Sequence, residues 1–405
     1  MCYKLIEGLS NKFIRERKMK LVYSGEPFPD EITKSMFLAG PTPRNDSAQS
    51  WRIPDALEIL ERLNYDGHAF IPEHRPGAGT CGDFDTHTYR EWETAGLHRA
   101  DKIVFWVPRE LKTMPAFTTN VEWGAWRRSG KAVFGAPSGA PKTLYLKLEA
   151  EEFGVPQFTS LEETLAHAVT SLGNGARRTG GECFVPLHIW NTESFQQWYK
   201  NLVRTGNRLV EARVEWVVTS KKKNVSIPAW ALRTKIFIAA ENRTKEDVVI
   251  SRRDISAVML WKKRPNLLDS EIVLVKEFRN PARTADGFVH ELPGGSTPKD
   301  GVNPLSVAVE EVLEETGVYF EPSRFTLLGS RQLAGTFSSH HAHLFSIHLT
   351  DCEYELYKSR VGHVCGNYEE GTERTVIEMK TLREIVNEKC ADYATLGMIL
   401  DVISE

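Results

Sequence analysis

Apolar residues in the first half of the chain fall in short runs, separated by stretches whose apolar positions recur every three to four residues. That alternation is the form taken by buried parallel strands and their crossover helices. It predicts strands over 35–39 (SMFLA), 69–72, 102–107 and 143–148, and helices over 50–63, 89–100, 119–129 and 161–172. A Gly-Pro turn, Gly40-Pro41, closes the first of these strands, and the Gly-rich stretch 75–86 reads as loop. Residues 31–175 therefore read as a Rossmann-like or flavodoxin-like domain behind a lead-in at 1–30. The segment 173–181 (GNGARRTGG) has linker composition, and a second domain is expected over 176–405. There the strand-like runs are longer, at 209–219, 231–240, 255–262 and 271–278, with further strands at 324–332, 342–349 and 375–379. One helix at 304–316 lies among them, and two more, at 382–389 and 393–403, close the chain, so the second domain reads as an α/β sandwich of a different kind.

Composition narrows the function classes. The chain has 405 residues, long enough for two domains, and a formal net charge of −3 with no basic stripe. Duplex nucleic acid is therefore not an expected partner. No apolar run approaches the length of a membrane span and no secretion signal opens the chain, which points to the cytoplasm. The six cysteines are scattered, with no Cys-x-x-Cys pair or zinc spacing, and read as reduced thiols.

The strongest chemical signal is acidic. Glu310, Glu311, Glu314 and Glu315 stand within six residues of the helix expected at 304–316, with Val309, Val312 and Leu313 expected to face inward. Glu311, Glu314 and Glu315 are three and four positions apart, so they leave one helix face together, and like charges so placed repel unless cations offset them. Oxygen ligands of this kind suit magnesium or manganese, which also hold a substrate's phosphates. With its lead-in Glu291-Leu-Pro-Gly-Gly295, the stretch to Val318 resembles the Nudix box. The resemblance implies a magnesium- or manganese-dependent diphosphatase in a Nudix α/β/α sandwich. Glu311 and Glu315 would then be the main metal ligands, Glu314 a ligand or the group that positions water, and Glu291 and Gly295 substrate contacts. Three departures stand out: a loop one residue longer, a residue near Asp300 in place of the first glutamate, and Glu310 where arginine is usual. The run from Ile272 to Pro281 resembles the nucleotide-sugar diphosphatase branch, to which ADP-ribose pyrophosphatases belong, and implies that Arg279 meets a phosphate. Where that branch often has Ser-Pro-Gly, this chain reads Gln332-Leu-Ala-Gly-Thr336, and the acidic loop 369–373 is either a solvated surface or the seat of a catalytic base.

In the first domain, Phe37-Leu-Ala-Gly-Pro-Thr42, Tyr89, Glu93, Ala100-Asp101 and Asn120-Val-Glu122-Trp-Gly124 follow one another in an order that resembles nucleoside 2-deoxyribosyltransferases and related nucleotide N-glycosidases. The resemblance implies that Glu122 is the nucleophile at the sugar's anomeric carbon. Glu93 or Asp101 would handle the proton and the sugar hydroxyls, while Gly40 and Pro41 frame the sugar or phosphate. The chemistry is that of a retaining carboxylate pair, one ionised and one protonated. Trp92, Trp106 and Trp126 are either core or platforms for a base.

The expectation is a two-activity enzyme acting on a small nucleotide, with a homodimer formed through the C-terminal domain. The alternative is a nucleotide-binding sensor domain that regulates a diphosphatase.

Overall fold

The structure is a computed structural model and describes residues 18–45, 47–77, 86–218, 227–297, 299, 301–366 and 374–405. The chain forms two compact units, residues 1–223 with 230–248, and residues 224–229 with 249–405.

In the first unit, strands β1 (Lys20–Tyr23), β2 (Ser35–Ala39), β3 (His68–Ile71), β4 (Lys102–Trp106), β5 (Ala132–Gly135) and β6 (Gln157–Phe158) form one parallel sheet in the order β1-β3-β2-β4-β5-β6. Successive residues of β2 serve opposite cores, Phe37 and Ala39 on one face and Met36 and Leu38 on the other. A strand buried on both faces has no polar alternation, which is why SMFLA reads as a continuous apolar run. The chain passes from β2 to β3 on one side and then crosses to β4 on the other, so the connections diverge around β2. At such a reversal a crevice opens beyond the carboxyl ends of β2 and β4, the place where open α/β sheets take ligands.

Helices α1 (Leu57–Arg62), α2 (Thr86–Arg99), α3 (Phe117–Trp126), α4 (Leu144–Glu152) and α5 (Leu161–Leu172) complete this part, α1 being preceded by an irregular turn at Arg52–Ala56. One expected strand is wrong: residues 143–148 belong to α4, and the strand position is taken by β5. The LYLKL sequence alternates like a strand, but as a helix it buries Leu146 and Ala150 and leaves Leu144 68% exposed.

The 173–181 segment is not the division between the units, and Arg178 is the reason. Its guanidinium is fully buried and paired with Asp101, both nitrogen–oxygen distances being 2.7 Å. Asp101 also accepts from the Ser35 amide and the Leu187 amide, each at 2.8 Å. This fastens residues 178–187 to the amino end of the sheet. Helices α6 (Leu187–Trp190) and α7 (Glu193–Arg204) follow, then a three-stranded sheet of β7 (Arg208–Val218), β8 (Ala229–Ile238) and β9 (Arg243–Arg252), ordered β9-β8-β7.

The second unit is built on an eight-stranded mixed sheet. Its strands are β10 (Ile255–Lys262), β11 (Glu271–Phe278), β12 (Phe288–Glu291), β13 (Gly294–Gly295), β14 (Thr326–Gln332), β15 (His341–His348), β16 (Val364–Cys365) and β17 (Thr375–Thr381). They run in the order β14-β15-β10-β11-β17-β16, with β12 against β11 and β13 against β10. Helices α8 (Pro304–Thr316) and α9 (Asp351–Ser359) bury Ala308, Val312 and Tyr357 against one face. Helices α10 (Leu382–Glu388) and α11 (Tyr393–Ile403) bury Leu382, Ile385 and Ile399 against the other. Asn303 caps α8 by accepting from the Leu305 amide, Pro304 opens it, and Gly317 ends it in the left-handed conformation at φ 66°. Leu313 does not face inward as expected, being 45% exposed, because Val312 and Thr316 take the buried positions. Among the described residues no helix is long and apolar enough to cross a membrane.

Removing one partner of a buried ion pair strands the other charge. Arg178→Ala is accordingly expected to lower stability by about 3–5 kcal/mol in chemical denaturation, and Arg178→Met with Asp101→Leu by clearly less.

Candidate active sites

In the first unit the crevice is assembled around Gly40. A Cβ on Gly40 would stand 2.2 Å from the Trp106 carbonyl oxygen and 2.9 Å from the Trp51 ring, so only glycine allows β2 and β4 to close together here. Arg52, fully buried, fixes the turn from beneath. It donates to the carbonyls of Leu38 at 2.8 Å and Gly40 at 2.6 Å, and to Glu73 at 2.6 Å, while Trp51 Nε1 donates to Pro41 at 3.1 Å. The Gly40 and Pro41 carbonyls are thus held internally at the carboxyl end of β2.

Glu93, at mid-length of α2, and Glu122, in the second turn of α3, are close enough to perturb each other. Burial first, and then the charge of Glu93, push the Glu122 carboxyl up to about 8, against the pull of Arg52. Burial also raises Glu93, opposed by the neighbouring Tyr89 hydroxyl and by Arg52. Tyr89 is itself anchored, its hydroxyl donating to the Pro72 carbonyl at 2.6 Å. The pair therefore retains a proton near neutral pH, and in the resting site that proton lies on Glu122.

Asp101 is a correction. It precedes β4 and so sits at the amino end of the sheet, opposite the crevice, saturated by Arg178, Ser35 and Leu187. An acid so engaged cannot exchange a proton with a group at the other end of the sheet, which leaves Glu93 as the acid beside Glu122. Trp92 and Trp106 are core, while Trp126 packs partly buried against it. Arg52 was missed because a single arginine before a helix carries no pattern.

In the second unit a cleft of about 980 Å³ lies between α8, β13, the end of β11 and the start of α11. Its wall brings together Arg279, Glu291, Gly295, Glu311, Glu314 and Glu315, with Glu310 beside them. Glu315 is buried and accepts from the Gly294 amide at 2.8 Å. A Cβ on Gly295 would stand 2.6 Å from a Glu311 carboxylate oxygen, and one on Gly294 would stand 2.2 Å from the Ser256 carbonyl oxygen of β10.

Arg279 brings a positive charge to this wall. Its guanidinium lies 2.9 Å from both Glu277 and Glu291. Burial disfavours its charge, but Glu291, Glu277 and Glu315 outweigh that and hold its proton more firmly. Arg252, also on the cleft wall, is pulled the other way by burial and by Arg279. Among the described residues no three His, Cys, Asp or Glu side chains are grouped to hold a metal ion. Asp300 and the acidic loop 369–373 lie outside the described residues.

Comparison with known proteins bears on the first unit. Residues 33–140 match a protein-family model, the nucleoside 2-deoxyribosyltransferase-like family. That span runs from the start of β2 past β5 and contains Gly40, Arg52, Glu93 and Glu122. No curated protein matches the chain. One solved structure, a crystal structure of an ADP compounds hydrolase, aligns with a TM-score of 0.32 at 10% identity, covering 49% of this chain and 92% of that one.

The Glu122 proton has a consequence for stability. Its folded pKa, about 8, is above the ordinary 4.5, so its contribution is complete below about 4.5 and is lost as pH rises through about 8. Glu122→Gln cannot ionise. Its thermal midpoint is expected to exceed that of the wild type at pH ~8.5, with the gap closing by pH ~5 in matched melting curves.

Proposed function

We propose that the protein acts on nucleotides with two chemistries, cleaving an N-glycosidic bond in its first unit and a diphosphate linkage in its second. The first assignment is carried by the Glu93–Glu122 pair at the sheet's reversal point, within the segment that matches the deoxyribosyltransferase-like family. Glu122 attacks the anomeric carbon, forming a glycosyl ester as the bond to the base breaks, and Glu93 delivers the proton the leaving base takes up. Because the resting proton lies on Glu122, it must pass to Glu93 before attack. Water, or a second base, then releases the sugar.

The second assignment rests on the cleft that joins the acidic face of α8 to Arg279 and Arg252. The cleft suits a nucleoside diphosphate derivative such as an ADP-sugar, with the arginines meeting phosphate oxygens and the resemblance of 295–318 to a Nudix box pointing the same way. Magnesium fits here on donor chemistry, since it is commonly held by one or two carboxylates plus substrate phosphates and waters, and so needs no cage of three protein ligands. Glu311 and Glu315, both set against the Gly294-Gly295 strand, would hold it, and when bound it would neutralise charge on the phosphates. The two units then suit successive steps: diphosphate cleavage yields a nucleoside monophosphate, from which the first unit releases the base.

Given an ADP-sugar with magnesium, Glu122→Ala is expected to accumulate the monophosphate and to lower base release by about 100-fold or more. Glu315→Gln should lower diphosphate cleavage by on the order of 100-fold while leaving base release from added monophosphate unchanged. Chromatography with mass detection of the products checks both. Failure of the wild type to release base from any nucleoside or monophosphate would remove the first activity and leave the second untouched.

A further inference from the structure

The cleft of the second unit contains one imidazole on a rigid mount. His340 lines it, just before β15, and its Nδ1 is 2.6 Å from the Oγ of buried Ser338. The segment is fastened on several sides. The Ser339 amide donates to Ile250 at 2.9 Å, Gln332 donates through Nε2 to the Ser338 carbonyl at 2.7 Å, and the His341 amide donates to Asp254 at 2.8 Å. A side chain held by its neighbours' packing and hydrogen bonds keeps one orientation, as a proton acceptor must. With Nδ1 occupied by Ser338, Nε2 is the nitrogen left for the cleft.

We propose that His340 is the general base of diphosphate cleavage, oriented by Ser338. The inference rests on the diphosphatase reading of this cleft. In the step, Nε2 takes one proton from a water molecule as the water oxygen bonds to one phosphorus. The bond from that phosphorus to the bridging oxygen breaks, its electron pair leaves on the second phosphate, and the imidazolium returns its proton to solvent.

The charges around the ring favour this role. Burial first, then Arg252 on β9 and His341 on β15, lower the His340 pKa, while Asp254, in the turn between β9 and β10, pulls it upward. The same cleft is lined by Glu310, Glu311, Glu314 and Glu315 of α8, with Arg279 and Glu291. The imidazole is therefore neutral at neutral pH and able to accept a proton.

The test uses the full-length protein with magnesium and an ADP-sugar. His340→Gln is expected to lower kcat by about 100-fold or more with KM little changed, and to abolish the acidic limb of the kcat–pH profile. Ser338→Ala should give a smaller loss with that limb retained, and free imidazole should restore part of the rate to His340→Ala. A His340→Gln variant with wild-type rate and pH profile would overturn the role of His340 while the diphosphatase reading stands. A wild type that cleaves no diphosphate would overturn that reading and this one with it. Circular dichroism of each variant separates a lost base from a lost fold.

Discussion

Both candidate sites depend on the same constraint: carboxylates gathered in a half-buried place repel one another, and an arginine must sit among them to keep them there. Two unit charges about 4 Å apart interact by roughly 4 kcal/mol at the effective dielectric of a protein near its surface, a large fraction of a domain's whole stability. In the first unit Arg52 is the balancing charge, opposing the upward shift of both Glu93 and Glu122. In the second it is Arg279, between Glu277 and Glu291 and within the field of Glu315. Gly295 belongs to the same problem, because a Cβ there would stand 2.6 Å from a Glu311 carboxylate oxygen.

The balance differs between the two sites, and so does the chemistry each can do. Arg52 is spent largely on backbone carbonyls and Glu73, so only part of its charge reaches the dyad, and a proton stays on Glu122. A shared proton is what glycosidic cleavage requires, one acid to give and one carboxylate to attack. Arg279 pairs with Glu277 and Glu291 on the wall of a large cleft that the carboxylates of α8 also line.

Asp101 shows how the same residue type serves an unrelated purpose. Its carboxylate sits at the far end of the strand whose other end frames the crevice, and its partners are Arg178 and two backbone amides. By tying 178–187 to the sheet it makes a segment of linker composition part of the first unit. The same sheet thus has one end where Asp101 is held by a full set of partners and another where burial raises Glu93 and Glu122.

The sequence alone determined the elements whose periodicity is local. The SMFLA strand, the capped helix from Pro304 to Thr316 and the carboxylates spaced along it are legible because each is set by neighbours a few residues away. The lead-in glycines and Arg279 were legible as a motif, and all of them meet in one cleft. Only tertiary structure decided the rest, because it concerns groups distant in the chain. LYLKL is a helix since packing needed Leu146 and Ala150 on one side, and Asp101 was claimed by an arginine 77 residues away. Which glutamate keeps the proton was likewise beyond reading from the sequence, since burial and the approach of Glu93, Glu122 and Arg52 exist only once three separate helical segments converge.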